Sequence, residues 1–122
     1  MPPATYTVGM GFEPDQGLPQ AEVTELVDET IADNEVVLFM KGTPLMPQCG
    51  YSERALALLD QYRQEFETVD VLHSLEEFRV ALEEHSGRKT IPQTFVDGEF
   101  VGGSDVLAQL DERGELEATL EA

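Results

Sequence analysis

The sequence is poor in cysteine, in basic residues and in long apolar runs. It has 1 cysteine and no tryptophan in 122 residues, and 7 Lys and Arg against 25 Asp and Glu give a net charge of −18. This charge repels nucleic-acid phosphates and anionic lipid surfaces, so we expect neither nucleic acid nor membrane as a partner. No run approaches the roughly 20 apolar residues of a membrane helix, and the first residues lack a signal-peptide pattern, so we expect a cytoplasmic protein.

The single cysteine, Cys49, restricts redox and metal chemistry. It has no partner for an intramolecular disulfide, so a second thiol must come from another chain or from a small molecule. The histidines, His73 and His85, do not lie at metal-ligand spacing from Cys49 or from each other, and we assign them no role. The acidic surface suits a cytoplasm of very high salt, which screens self-repulsion, so we expect a halophilic source; a specific acidic docking face is the alternative.

What the chain does have is one domain's worth of alternating helix and strand patterns. The proline-rich and glycine-rich residues 1–20 predict a mobile tail or a strap across the surface, and residues 21–122 the folded domain. Periodicity predicts helix, strand, helix, strand, helix, hairpin and helix, with the apolar run 36–40 as a central strand and 66–72 as the second strand. A parallel strand–helix–strand crossover and a hairpin turning at Asp97-Gly98 give an α/β fold, a four-stranded mixed sheet with helices on both faces.

The candidate chemistry concentrates at Cys49, which follows a predicted strand and begins a predicted helix. Unbonded N–H groups and the positive end of the helix dipole favour a thiolate there. Lys41, at the end of the strand, can add a positive charge. Ser52 occupies the place of the resolving cysteine in a Cys-x-x-Cys motif, so a dithiol cycle is not available. An inert, half-buried thiol is the alternative interpretation.

Two further segments could complete a cleft around Cys49. In Thr90-Ile91-Pro92, a cis peptide would turn the backbone of Ile91 towards the cysteine, and an ordinary trans proline at a strand start is the alternative. Gly102-Gly103-Ser104-Asp105 begins a helix, where glycines let backbone N–H groups approach a carboxylate and Ser104-Asp105 offer N-cap oxygens; an ordinary helix cap is the alternative. Asp105 could pair with an ammonium group, and Arg79 could hold a second carboxylate or simply be solvated.

The sequence resembles the monothiol glutaredoxins of the Cys-Gly-Phe-Ser class over about residues 21 to 120. The resemblance rests, in chain order, on Lys41-Gly42-Thr43-Pro44, Cys49-Gly50-Tyr51-Ser52, Thr90-Ile91-Pro92-Gln93, Val96-Asp97-Gly98 and Val101-Gly102-Gly103-Ser104-Asp105. It implies a thioredoxin-like fold with a cis proline, a glutathione groove and a [2Fe–2S] cluster bridged between two subunits. The sequence departs from the class at Tyr51, where Phe is usual, and at Arg88-Lys89, where the class commonly has Trp-Pro.

The resemblance also implies a role for the matched residues. Cys49 would be both the thiol nucleophile and the metal ligand of the cluster, and Lys41 and Arg79 would bind the glycyl carboxylate of glutathione. Ile91 would pair through its backbone with the cysteinyl unit, and Ser104-Asp105 would hold the γ-glutamyl end. The expected binding set is completed by Gly50, Tyr51, Pro92 and Gly103.

These implications give a leading hypothesis and two alternatives. A [2Fe–2S] cluster takes four thiolates, and a homodimer with two small thiols supplies four. We therefore expect a carrier that passes a labile cluster to apo iron–sulfur proteins, with a BolA-type protein as a further partner. The first alternative is a thiol–disulfide oxidoreductase that uses Cys49 to reduce mixed disulfides, and the second is a redox-silent adaptor. The small thiol is glutathione or another γ-glutamyl thiol such as γ-glutamylcysteine.

Overall fold

The computed structural model describes residues 17–121, so the predicted tail lies outside the described residues except for its last four. In chain order the elements are α1 (Gln20–Asp33), β1 (Val36–Met40), α2 (Gly50–Tyr62), β2 (Glu67–Asp70), a 3₁₀ turn (Leu72–Ser74), α3 (Leu75–Ser86), β3 (Gln93–Val96), β4 (Glu99–Gly102), α4 (Ser104–Glu112) and α5 (Leu116–Glu121). The predicted order is confirmed, and α4 and α5 are separated at Gly114, which has φ 72°.

The sheet is mixed, and β1 lies inside it. The strand order is β2-β1-β3-β4. Strand β1 is parallel to β2, with Met40 opposite Asp70, and antiparallel to β3, with Phe39 opposite Gln93. This register brings the ends of β1 and β2 and the start of β3 to one edge of the sheet, where Cys49 follows β1. We refer to it as the Cys49 edge.

Helices cover both faces of the sheet, as predicted. One core lies under α1 and α3, and the other under α2, α4 and α5. Because successive side chains of a strand point to opposite faces, β1 serves both cores: Val37 and Phe39 face the first, and Leu38 and Met40 the second. All of β1 is buried, which explains its unbroken apolar run.

The predicted turns are confirmed, but the second strand is shorter than predicted. Asp97 and Gly98 have φ of 49° and 84°, as a tight hairpin turn requires. Strand β2 ends at Asp70 instead of residue 72, because the Leu72 N–H donates to the Asp70 carboxylate at 3.0 Å and the chain enters the 3₁₀ turn. For the Leu72 N–H, the Asp70 carboxylate thus takes the place of an acceptor on the neighbouring strand.

Residues 17–20 contact the start of α3. The Leu18 N–H donates to Ser74 Oγ at 2.8 Å, and Gln20 Nε2 donates to the Glu77 carbonyl at 2.9 Å. The Leu18 side chain also packs against the core under α1 and α3. Within residues 17–121, no helix has both the length and the apolarity to cross a membrane.

Candidate functional site

Cys49 lies at the N-cap position of α2, as the sequence predicts. Its backbone is extended, with φ −155° and ψ 133°, and its side chain is half-buried. Because the first N–H groups of a helix have no partner within it, the sulfur lies beside several free donors. The thiol is therefore partly accessible and close to the positive end of α2.

Opposing influences set the pKa of Cys49. Burial raises the pKa of the thiol, but the backbone N–H groups of Ser52 and Tyr51, the Ser52 hydroxyl and the charge of Lys41 together hold it below its ordinary value. No hydrogen bond of standard cap geometry joins the thiol to the helix, so the N–H groups act on sulfur as oriented dipoles. A lowered pKa increases the thiolate fraction, and the thiolate is both the nucleophile and the metal ligand.

The backbone around Lys41 is fixed by hydrogen bonds from two other elements. The Lys41 N–H donates to Ser52 Oγ at 3.0 Å, and its carbonyl accepts the Gln48 N–H at 2.9 Å. The next N–H, of Gly42, donates to Asp70 Oδ1 at 3.0 Å. Side chains from α2 and from the end of β2 therefore hold the loop at its first two residues, which positions Lys41 beside Cys49.

The Pro92 segment lies at the start of β3, on the same edge. The Ile91–Pro92 peptide is cis, which confirms the prediction. Ile91 is half-buried and Pro92 is buried. The buried Gln93 holds this segment, because its Nε2 donates to the Arg88 carbonyl at 2.8 Å and to the Thr90 carbonyl at 2.9 Å. Arg88 and Lys89 themselves are exposed.

The start of α4 packs against the Pro92 segment. A Cβ at Gly103 would lie 3.0 Å from the Pro92 carbonyl oxygen, so the two segments touch through backbone. The prediction that Ser104 and Asp105 supply N-cap oxygens is wrong: the N-cap is Gly103, and no side chain caps α4. Ser104 is instead the first helical residue and is buried, which leaves backbone N–H groups as the donors at this helix start. Asp105 is exposed.

The structure thus gathers most of the predicted set at the Cys49 edge. Its members come from the end of β1, the start of α2, the start of β3 and the start of α4: Lys41, Cys49, Gly50, Tyr51, Ile91, Pro92, Gly103, Ser104 and Asp105. Arg79 lies on α3, and its guanidinium pairs with Glu76 on the same helix at 2.6 Å. Among residues 17–121, no group of three or more His, Cys, Asp and Glu side chains is arranged to hold a metal ion.

Three supporting residues, Ser52, Asp70 and Gln93, were not predicted to shape the site. Ser52 is the third residue of α2, but its hydroxyl accepts from the Lys41 N–H and makes no helix cap, so no capping pattern indicates it. Asp70 precedes a turn, and an Asp that bonds the backbone two residues on is a known turn pattern. Nothing local indicates Gln93, because its acceptors depend on how residues 88–90 fold.

Comparisons with known proteins agree with this geometry. The family model of the glutaredoxins matches residues 36–101. A ycf64-like monothiol glutaredoxin of Synechocystis is 46% identical over 100 residues, which cover 82% of this chain and 92% of that protein. A reduced apo glutaredoxin of poplar has a TM-score of 0.70 at 38% identity, covering 81% of this chain and 90% of its own.

A buckwheat glutaredoxin solved in complex with glutathione has a TM-score of 0.71 at 24% identity, covering 84% of this chain and 90% of its own. At that identity the likeness concerns the fold, which is the predicted thioredoxin-like one. Sequence match, fold and the position of a single thiol at a helix start all agree. The chain therefore belongs to the glutaredoxin family, among its monothiol members.

Proposed function

We propose that this protein carries a labile [2Fe–2S] cluster as cargo and passes it to apo iron–sulfur proteins. In this proposal Cys49 and a small thiol bind the cluster in each subunit of a homodimer. The observation that carries the proposal is a single, partly exposed thiol in a setting that lowers its pKa, with Ser52 where a resolving cysteine would stand.

The donor chemistry at Cys49 fits this cargo. Iron–sulfur clusters are held by thiolates, and the N–H groups of Ser52 and Tyr51 favour the thiolate form. One chain supplies one thiolate, so two chains and two small thiols complete the set of four. Because the thiol lies at the edge of the fold and is half-exposed, an acceptor's thiolates can reach and replace it.

The groups around Cys49 match the ends of a γ-glutamyl thiol. Lys41 offers a positive charge for a carboxylate, and Arg79 would add a second by exchanging or sharing its ion pair with Glu76. The backbone N–H groups at the start of α4 suit the γ-glutamyl carboxylate, and Asp105 suits its ammonium group. The match of residues 36–101 to the glutaredoxin family supports this choice of ligand class.

The test is anaerobic reconstitution with iron, sulfide and either glutathione or γ-glutamylcysteine, followed by absorption and light scattering. We expect a visible chromophore that requires the small thiol and resides on a dimer. It should be lost in Cys49→Ser and in wild-type protein alkylated beforehand, since Cys49 is the single cysteine. A colourless monomer under every condition would overturn the proposal.

A second candidate function, thiol–disulfide exchange, is favoured by the low pKa of Cys49 and by Arg88-Lys89 in place of Trp-Pro. The Cys49 thiolate attacks the glutathione sulfur of a mixed disulfide, and the substrate thiolate leaves. A second glutathione, as its thiolate, attacks the glutathione sulfur that is now bonded to Cys49. The Cys49 thiolate leaves, and glutathione disulfide is released. Turnover of a glutathionylated protein by colourless monomer would favour this function over cluster carriage.

Three further expectations from the sequence stay predictions: a BolA-type partner, a cytoplasmic location and a halophilic source. The alternative of a redox-silent adaptor makes a different prediction: the Cys49→Ser variant would bind its partner as well as wild type does.

A further inference from the structure

The segment between β1 and α2, which carries Cys49, and the first turn of α2 expose three apolar side chains, Leu45, Met46 and Tyr51, which we call the apolar rim. Their exposed fractions are 93%, 66% and 63%, the largest among the big apolar side chains of the described residues. Single exposed apolar residues are ordinary, but a group beside a reactive thiol points to a contact surface.

The backbone that carries Leu45 and Met46 is firmly held. The Met46 N–H donates to the Thr43 carbonyl at 3.0 Å, and the Thr43 N–H donates to the Met46 carbonyl at 3.2 Å. Gly42 and Pro47 form a further bridge at the base of this turn. The turn therefore presents its tip in a fixed conformation, which lowers the ordering entropy that a contact must overcome.

Charge points to the occupant of the rim. Of all residues, 26% are charged, yet residues 42–52 contain no charged side chain. Two copies with a net charge of −18 each repel one another most where carboxylates come into close contact, so a surface without charged side chains is the one on which two copies meet with the least repulsion. The rim residues carry no charge, and their segment includes the thiol that must face a second copy in the proposed function.

We propose that the apolar rim packs against the same rim of a second copy in the cluster-bridged homodimer. This inference rests on the proposed function. The contact is isologous, so each tip meets its own equivalent. Three side chains supply far less than the roughly 800 Å² per partner of a stable interface, so the rim adds to the bridge and does not dimerise the apo protein.

A charge-exchange experiment tests the rim contact. Leu45→Glu and Leu45→Lys are reconstituted separately and as an equimolar mixture, with Val80→Ser as a control at another exposed apolar residue, 43% exposed. We measure the protein concentration at which the coloured dimer dissociates. Each single variant should dissociate at about tenfold higher concentration than wild type, and the mixture should recover most of that loss, because Glu then faces Lys.

The outcomes separate the rim contact from the proposed function. If wild type forms no coloured dimer, both fail. If it does and the variants dissociate at the wild-type concentration, the rim contact fails alone. If the variants dimerise normally but pass the cluster more slowly to an apo acceptor, the rim binds the acceptor and the second-copy assignment is wrong. Because Leu45 is 93% exposed, unchanged unfolding in urea is expected and confirms that the variants fold.

Discussion

Two loops frame Cys49, and they are held in different ways. The loop 41–48 is closed by its own backbone, Thr43 with Met46 and Gln48 with Lys41, and side chains anchor it only at its first two residues. The loop 87–92 is fixed by side chains, with Ser86 Oγ and Gln93 Nε2 both bound to Arg88. The loop 41–48 is closed by backbone bonds and so depends on its glycine. The loop 87–92 is held by side chains outside its exposed residues, so those residues are free to vary.

This difference explains where the sequence can depart from its class. Arg88 and Lys89 are exposed, and the bonds from Gln93 go to main-chain carbonyls, so they do not depend on which side chains stand at 88 and 89. Trp-Pro can thus become Arg-Lys without loss of these two bonds. In the loop 41–48 the backbone of Met46 and Gln48 passes so close to Gly42 that no side chain fits at this position.

Gly42→Ala should have the largest effect on the free energy of unfolding. Gly42 has φ 94°, and a Cβ there would lie 2.5 Å from the Met46 carbonyl oxygen and 2.7 Å from the Gln48 nitrogen. Neither backbone atom can move without breaking the loop, so we expect a loss of about 3 kcal/mol or more in urea unfolding.

Gly50→Ala is the matched control, because nothing lies within 4 Å of its Cβ position. Gly50 is in α2, where alanine is preferred, so this variant should be neutral or more stable by up to about 1 kcal/mol. Equal unfolding midpoints for Gly42→Ala and wild type would show that the loop 41–48 can rearrange.

Gln93→Leu should have the next largest effect, because it removes the two hydrogen bonds by which Gln93 holds the loop 87–92, while those of Ser86 remain. We expect a loss of about 2 kcal/mol, limited because the Arg88 carbonyl keeps its bond from Ser86 Oγ and because the variant also removes Gln93 Oε1, which is buried and has no hydrogen-bond partner within the described residues. The neighbouring Thr94→Val is the control: Thr94 Oγ1 is buried and has no hydrogen-bond partner within the described residues, so the change should stabilise by about 1 kcal/mol. A Gln93→Leu variant as stable as wild type would show that the loop does not need Gln93.

The same contrast shows what a sequence can reveal. Elements with a local apolar period, such as β1 and α2, were predicted correctly because burial of their apolar faces determines where they form. Their order, the parallel crossover and the mixed sheet were predicted as well. Cys49 was placed correctly at a helix start for the same reason. Ser104 was misplaced by one position at its cap, and Asp70 and Gln93 were missed. The turn bond from the Leu72 N–H to Asp70 follows a known local pattern, but the bond from the Gly42 N–H to Asp70 and the bonds of Gln93 depend on which polar atoms meet after folding, and no local pattern contains that information.

Ser52→Ala tests the junction between α2 and the loop 41–48. Ser52 is fully buried, and its Oγ accepts the Lys41 N–H, so the variant leaves that donor without its acceptor. We expect a loss of about 1 to 2 kcal/mol in urea unfolding. Ser86→Ala is the control for the other loop; its two bonds to Arg88 lie at the exposed surface and the third, to the Leu82 carbonyl, is only partly buried, so its loss should stay below about 1 kcal/mol. A reversed order of these losses would contradict the assignment of Ser52 as the more constrained hydroxyl.

The smallest effect should be the pH dependence that Cys49 gives to stability. Its pKa is lowered in the fold, so the folded state favours the thiolate. The stabilisation is therefore fully present above the pKa of the unfolded thiol, about 8.5, and disappears as the pH falls through the lower pKa of the folded thiol. The difference in free energy of unfolding between wild type and Cys49→Ser should grow in favour of wild type across that window as the pH rises.

Alkylation separates the causes of this lowered pKa. The midpoint of the iodoacetamide rate against pH should move upward in Ser52→Ala, which removes a hydroxyl that acts directly on the sulfur. It should move upward less in Lys41→Met, because the charge of Lys41 is the weakest of the lowering influences. A larger shift in Lys41→Met would mean that the charge, and not the donors at the start of α2, is the main source of thiolate stability.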